Sequence, residues 1–134
     1  MPVRLFAMLA VLFAAPSAQA LEACLADSVG PWRGPVYSSG ELQTMISEFH
    51  ALADGALEGS YHILDAVPYD GTLTGYRPTG PCEAEFSWTD RYGTGVVQIR
   101  FEPALGRFLG LWGQEVPLEG HIFRGYRRRS PNVS

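Results

Sequence analysis

The sequence predicts an all-β fold, a single antiparallel up-and-down barrel or curled meander of about six to eight short strands. Three observations predict it. Several short segments alternate apolar and polar residues, and the 15 glycines and 10 prolines of the chain separate them at close spacing. The third observation is a pair of Asp-Gly dipeptides, at 54–55 and 70–71, which favour tight hairpin turns because glycine accepts positive φ.

The first 20 residues have the pattern of a bacterial secretory signal peptide. Arg4 supplies a positive charge, and the apolar run 5–15 is too short to span about 30 Å of hydrocarbon as a helix. The triplet AQA at 18–20 has the small-x-small pattern of a cleavage site. We therefore expect cleavage after Ala20 and a periplasmic or secreted chain with no transmembrane segment. Residues 21–134 then form one β-domain, with 130–134 as a frayed tail.

Two cysteines, Cys24 and Cys82, remain in the predicted mature chain. In an exported protein an even pair is most simply a disulfide. It would close a loop of about 58 residues, which in the chain-entropy model is worth roughly 4 kcal/mol. The alternatives are free thiols, a metal or redox pair, and a lipid anchor at Cys24. The last two are disfavoured because there is no C-x-x-C, no histidine lies within a few residues of either cysteine, and Glu22 fits a lipidation site poorly.

The segment 38–53 admits two interpretations. Its apolar residues recur at helical spacing, and Ser38 and Glu41 have the spacing of a capping box, which together favour a single helix near residues 40–53. The segment also runs directly into Asp54-Gly55 and a convincing strand, which favours the first arm of a hairpin. We prefer a strand over Met45 to Leu52 because the hairpin signals are stronger.

Six later segments are predicted as strands, and three consecutive ones, which begin at residues 84, 95 and 107, are rich in aromatic residues. The six segments are 57–64, 72–77, 84–89, 95–102, 107–112 and 121–127. Turns at 90–93 and 103–106 join the strands that begin at residues 84, 95 and 107 into a meander with its aromatic side chains on one face. Glycines opposite large rings leave room for the rings, so core packing accounts for most of this composition.

Short stretches of glycine and aromatic residues recur between residues 30 and 128. They are GPWRG at 30–34, DGALEGSY, DGTLTGY, FSWTDRYGTG, FLGLWG and IFRGYR. This rhythm resembles that of small secreted bacterial β-domains and, more loosely, that of lipocalin-like and avidin-like barrels. The resemblance implies an up-and-down barrel; lipocalin-like relatives often enclose a small apolar ligand and avidin-like relatives a heterocycle. No binding residue is carried over, because no ligand-contact pattern matches position by position.

Composition and motifs exclude several classes of function. The formal net charge of −4 makes nucleic acid a poor partner, because phosphate binding needs a concentrated basic face. The sequence has no G-x-S-x-G elbow, no H-E-x-x-H and no phosphate-binding loop, and its histidines at 50, 62 and 121 are far apart. We predict no enzymatic activity, no catalytic residue, no metal ligand and no cofactor.

The leading hypothesis is a non-catalytic module that binds a small apolar or aromatic ligand at the mouth of the barrel. The candidate ligand-binding residues are Trp88, Asp90, Tyr92, Phe108 and Trp112. The competing interpretation of these rings is core packing, and that of the carboxylate is a cap on the turn that follows it. The alternative function is a protein-interaction or inhibitor module of the cell envelope that uses an exposed sheet face or the loop at 65–71.

Overall fold

The computed structural model describes residues 23–128, which form one helical turn and eight strands. The elements are the helix α1 (Ala23–Ala26), followed by β1 (Gly30–Ser38), β2 (Glu41–Ala51), β3 (Leu57–Leu64), β4 (Tyr69–Gly80), β5 (Glu83–Asp90), β6 (Gly93–Glu102), a 3₁₀ turn (Pro103–Leu105), β7 (Arg107–Gly113) and β8 (Ile122–Tyr126).

The eight strands form a closed antiparallel barrel, and the all-β prediction is confirmed. Each strand pairs with the next along the chain, and β8 pairs with β1 through Arg33 opposite Tyr126 and Val36 opposite Phe123. This closure leaves no open sheet edge between the first and last strands. Because the topology is up-and-down, alternate turns lie at the same end of the barrel.

Alternation along the strands places the aromatic face of the predicted meander inside the barrel. In β5 the residues Ala84, Phe86 and Trp88 are buried, as are Val97 and Phe101 in β6. The predicted turns at 90–93 and 103–106 connect these strands as expected. Packing of the rings edge to face, as between Phe49 and Phe101 at 5.1 Å, fills the middle of the barrel.

Inward-facing glycines lie opposite large rings on neighbouring strands, as expected for a barrel this rich in aromatic residues. The cross-strand pairs are Phe49 with Gly59, Tyr61 with Gly71, Trp88 with Gly95, and Phe108 with Gly125. At each of these glycines a Cβ atom would overlap atoms of the paired ring. The glycines therefore provide the volume that the rings occupy.

Within the segment 40–53 the strand β2 covers Glu41–Ala51, so the preference for a strand from Met45 is confirmed, although it ends one residue before Leu52, and the alternative helix is wrong. Met45, Ser47 and Phe49 face the interior, whereas Leu42 and Ile46 lie on the outer face and are exposed. The helical spacing arose because apolar residues occupy both faces of β2. Pairing with β1 on one side and β3 on the other supplies the backbone hydrogen bonds that favour the strand.

The prediction of a hairpin turn at Asp70-Gly71 is wrong, because both residues lie within β4. Asp70 faces outward and its Oδ1 lies 2.6 Å from Nδ1 of His62 on β3. Gly71 faces inward, where only a residue without a side chain fits beside Tyr61. The turn between β3 and β4 occurs earlier, at residues 65–68.

The end of the barrel formed by the start of β1 and the end of β8 is closed by α1. Leu25 is buried there, and the predicted disulfide between Cys24 and Cys82 is confirmed and ties α1 to the β4–β5 connection. Trp32 packs against the core, and the guanidinium of Arg127 lies 3.9 Å from the centroid of its ring. Arg127 also donates hydrogen bonds to the carbonyls of residues 27 and 29. We call this region the closed end.

The predicted signal peptide and the predicted frayed tail at 130–134 lie outside the described residues 23–128. Within that range, no helix has the length and apolar character needed to cross a bilayer.

Candidate functional site

A cavity of about 220 Å³ lies at the opposite end of the barrel, which we call the mouth. The mouth is formed by the turns β1–β2, β3–β4, β5–β6 and β7–β8. The cavity is lined by Val36, Tyr37, Ser38, Ser39, Tyr61, Ile63, Tyr69, Trp88, Asp90, Tyr92, Trp112 and Phe123. Most of this lining is aromatic or aliphatic, and the polar groups are few.

Two tryptophans form one wall of the cavity. Trp88 and Trp112 pack edge to face, with ring centroids 5.5 Å apart and planes inclined by 86°. Each indole N–H already donates to a backbone carbonyl, that of Trp88 to Gly113 at 2.9 Å and that of Trp112 to Tyr37 at 2.8 Å. The two rings therefore present apolar edges and faces to the cavity with no unsatisfied donor.

His121 supports this wall from behind. Its ring lies 4.7 Å from Trp112 and 5.1 Å from Tyr37, centroid to centroid, and is nearly parallel to that of Tyr37. The Trp112 ring is thus held between Trp88 on one side and His121 on the other, so its orientation is set by packing as well as by its hydrogen bond.

Asp90 provides the polar side of the cavity. Its Oδ2 accepts a hydrogen bond of 2.7 Å from the Tyr61 hydroxyl, and its Oδ1 accepts one of 2.8 Å from the backbone N–H of Tyr92. The second bond is the turn cap that sequence reasoning expected of this residue, whereas the first links β5 to β3, which lies on the other side of β4 in the sheet. A second polar contact joins Ser38 Oγ and the Tyr69 hydroxyl at 2.6 Å.

The two buried tyrosines are held in their neutral form. Burial is the main cause that raises the pKa of Tyr61 well above its usual range, and the hydrogen bond to Asp90 and its charge raise it further. Burial also raises the pKa of Tyr69; the hydrogen bond with Ser38 opposes this, and the charge of Asp90 adds to it. Both hydroxyls therefore remain protonated donors at neutral pH.

The rim of the cavity is partly covered by an aromatic and cationic cluster. Tyr69 and Tyr92 pack edge to face at 5.1 Å. The guanidinium of Arg91 lies 4.6 Å from the Tyr69 centroid and 4.9 Å from the Tyr92 centroid, and it donates to the Val67 carbonyl and the Tyr92 hydroxyl. These contacts connect the β5–β6 turn to the β3–β4 loop.

The structure brings four of the five candidate residues together at the mouth: Trp88, Asp90, Tyr92 and Trp112 line the cavity. Phe108 lies elsewhere. It begins β7 near the closed end, is fully buried, and packs against Trp32 and other core rings. Its distance from the mouth follows from the direction of β7, which runs from the closed end towards Trp112.

Sequence reasoning missed the other half of the lining, above all Tyr61, Tyr69 and Ser38. Alternation placed Tyr61 on the inner face of β3, but only strand order and register show that it lies near Asp90, with β4 between β3 and β5. The closest signal was Gly71, the cross-strand neighbour that leaves room for the Tyr61 ring.

The described residues contain no group of three or more histidine, cysteine or acidic side chains placed to hold a metal ion. Comparison of this chain with protein families, with curated proteins and with solved structures finds no match. The arrangement at the mouth is therefore interpreted from its own geometry.

Proposed function

We propose that this protein is an exported, non-catalytic binding module that holds a small apolar or aromatic ligand in the mouth of the barrel. The observation that carries the proposal is the cavity of about 220 Å³, with tryptophan walls and a few convergent polar groups. Concave, largely apolar sites with a small number of placed polar groups are typical of small-molecule sites, and barrel mouths are among their usual positions.

The volume limits the size of the ligand. A buried apolar cavity of about 150 Å³ is enough to hold benzene. At about 220 Å³ the mouth accommodates one substituted ring or a fused pair of rings. It is smaller than the range of about 300–1,000 Å³ that is typical of sites for drug-sized ligands.

Export is supported by two features. The disulfide between Cys24 and Cys82 is of the kind that persists in oxidising compartments. The first 20 residues carry the signal-peptide pattern described above. We propose the periplasm or the extracellular medium as the place where the mouth meets its ligand.

A titration with a small neutral aromatic compound, phenethyl alcohol, tests the proposal. Trp88 and Trp112 line the cavity, so ligand entry should change the intrinsic fluorescence in a saturable way. The Ile63→Phe variant places extra volume in the cavity and should abolish the change. Ile46→Phe makes the same substitution on the outer face of β2, where the residue is 37% exposed, and should bind as the wild type does. Equal binding by both variants would contradict a site in the cavity.

Native mass spectrometry of the protein isolated gently from its own host provides a second, independent test. A bound species of a few hundred daltons would support the proposal and identify the ligand, whereas a co-purifying polypeptide would favour an interaction module.

The second candidate, an envelope protein-interaction module, is favoured by the apolar residues exposed around the mouth. Leu42, Val67 and Val116 are 63%, 61% and 60% exposed, and they belong to three different strand connections or their flanks. Under this alternative, charge substitutions at these positions should release a partner, and ligands should have no effect on its binding.

A further inference from the structure

We propose that the ligand is a cation: a protonated amine attached to an apolar or aromatic ring, with the ammonium bound by Asp90. This inference rests on the proposed function and deepens it by naming the chemical class of the ligand. Among the cavity-lining residues within the described range 23–128, Asp90 is the one side chain that is charged at neutral pH.

The carboxylate of Asp90 can accept further hydrogen bonds. Its two oxygens offer about four lone-pair positions, and the Tyr61 hydroxyl and the Tyr92 amide occupy one on each oxygen. No Arg or His of residues 23–128 forms an ion pair with it. Its two hydrogen bonds already compensate part of the charge, and an ammonium group would add a charge-assisted hydrogen bond at a free acceptor position.

Aromatic side chains line the cavity around that carboxylate. Trp88 precedes Asp90 by two residues on the same face of β5, and Tyr61 on β3 and Tyr69 on β4 line the same cavity. The faces of such rings carry negative electrostatic potential and attract cations within about 6 Å of the centroid. Carboxylate and ring faces therefore favour the same sign of ligand charge, while the tryptophan wall and Phe123 provide the apolar surface for the rest of the molecule.

Acidic and basic side chains are unevenly distributed along the barrel axis. The connections around the mouth and the strand residues next to them carry mainly acids, at Glu41, Asp65, Asp90, Glu115 and Glu119, and at Asp70, which pairs with His62. Most arginines lie towards the closed end, and three of them, Arg77, Arg100 and Arg107, are paired with glutamates. A negative potential at the opening of a low-dielectric cavity draws in cations and repels anions.

Arg91 is the cation at the mouth, and its contacts explain why it does not neutralise the site. It is exposed, does not line the cavity, and directs its guanidinium to the Val67 carbonyl and the Tyr92 hydroxyl rather than to Asp90. Its position over Tyr69 and Tyr92 shows that rings at this rim already accept a cationic group.

The test compares three probes of similar size on the wild type: phenethylamine, phenethyl alcohol and hydrocinnamate, which are positive, neutral and negative. Calorimetry or tryptophan fluorescence should show phenethylamine binding about tenfold or more tightly than the alcohol, as expected for a charge-assisted hydrogen bond, and hydrocinnamate binding weakest. Raising the salt from about 0.01 M to about 1 M should weaken the amine and leave the alcohol unchanged.

Asp90→Asn is the decisive variant. It keeps the shape of the side chain, and the Tyr61 hydroxyl can accept from the new amide instead of donating. The preference for the amine over the alcohol, measured as the ratio of their dissociation constants, should disappear. Glu119→Gln removes a rim charge outside the cavity and should change the preference by less than about twofold.

The possible outcomes separate this inference from the proposed function. If the alcohol or hydrocinnamate binds the wild type as tightly as the amine, the cationic ligand is overturned and the binding module stands. If none of the three probes binds, the proposed function fails and this inference fails with it. The ranking on the wild type decides the matter even where Asp90→Asn does not fold.

Discussion

Substituting Gly71 with alanine should destabilise the barrel through a single ring. The φ of Gly71 lies outside the left-handed region, so alanine is compatible with its backbone, but the added Cβ would overlap the Tyr61 ring. That ring is 4% exposed, packs edge to face on Phe123 at 5.6 Å and donates to Asp90 at 2.7 Å. The ring could move only towards the cavity that it lines, and doing so would break these contacts.

The magnitude follows from these contacts. Overpacking of a filled core costs about 1–3 kcal/mol, and displacing the ring also weakens a hydrogen bond to a charged group worth about 1.5–3 kcal/mol. Replacing glycine with alanine in a strand returns about 0.5–1 kcal/mol. We expect Gly71→Ala to lower the free energy of unfolding by about 2–4 kcal/mol, measured by urea denaturation.

A control and a rescue make the reasoning testable. Gly80 lies on the same strand, and a Cβ there would come no closer than 3.0 Å to the end of the flexible Glu83 side chain. Gly80→Ala should therefore lower the free energy of unfolding by less than about 1 kcal/mol. Adding Tyr61→Leu should make Gly71→Ala nearly neutral, a coupling of about 2 kcal/mol in the double-mutant cycle. Equal costs at Gly71 and Gly80, or additive effects with Tyr61→Leu, would refute the assignment.

Three further predictions concern the closed end and the buried tyrosine. Replacing Cys24 and Cys82 with alanine should lower the free energy of unfolding by about 4 kcal/mol, because the disulfide closes a loop of 58 residues. Arg127→Leu should lower the free energy of unfolding by about 1–2 kcal/mol, because it removes the contact with the Trp32 ring and the hydrogen bonds to carbonyls. Arg128 is exposed, so Arg128→Leu should lower it by less than about 0.5 kcal/mol. The pKa of Tyr61 is higher in the folded than in the unfolded chain, so its ionisation should not change the free energy of unfolding below about pH 10 and should lower it above that pH by about 1.4 kcal/mol per pH unit. In Tyr61→Phe the free energy of unfolding should fall less steeply with pH.

Each of these has a result that would contradict it. The double cysteine variant should have the same free energy of unfolding as the reduced wild type. If that value lies within about 1 kcal/mol of the oxidised wild type, the disulfide adds little stability. Equal effects at Arg127 and Arg128 would mean that the ring contact is not stabilising. Parallel pH profiles for wild type and Tyr61→Phe would show that Tyr61 ionises as freely when folded as when unfolded.

The inner face of the barrel could be predicted from sequence because it depends on local alternation. Strands β5 and β6 contain an apolar residue at every second position, and the turns that join them are short, so register and facing follow directly. The cysteine pair could be predicted equally well, since the two cysteines of the chain allow one pairing.

Other elements escaped prediction for identifiable physical reasons. Strand β1 contains Pro31 and Pro35, which remove backbone donors and disfavour a central strand in any local reading. It is nevertheless held on both sides, by β2 along its length and by β8. The contact of Trp32 with Arg127 joins residues at opposite ends of the sequence, so no short pattern could reveal it.

The candidate site was half predictable for the same reason. Trp88, Asp90 and Tyr92 are neighbours in sequence around one turn, and alternation alone placed two of them on the inner face. Tyr61 and Tyr69 reach the same cavity from β3 and β4, and their contacts with Asp90 and Ser38 depend on strand order and on closure of the barrel rather than on neighbouring sequence.

The energetics of the two ends of the barrel provide a test of the proposal that the cavity binds a ligand. At about 24 cal/mol per Å³, an unfilled volume of 220 Å³ corresponds to at most about 5 kcal/mol, an upper bound because the mouth is open to water. The disulfide at the closed end contributes about 4 kcal/mol, which is enough to offset most of that cost. Filling the mouth with Ile63→Phe should therefore raise the free energy of unfolding, by about 1 kcal/mol, while it abolishes ligand binding. A loss of more than about 1 kcal/mol in urea denaturation would instead mean that the mouth is already packed and that its aromatic residues belong to the core.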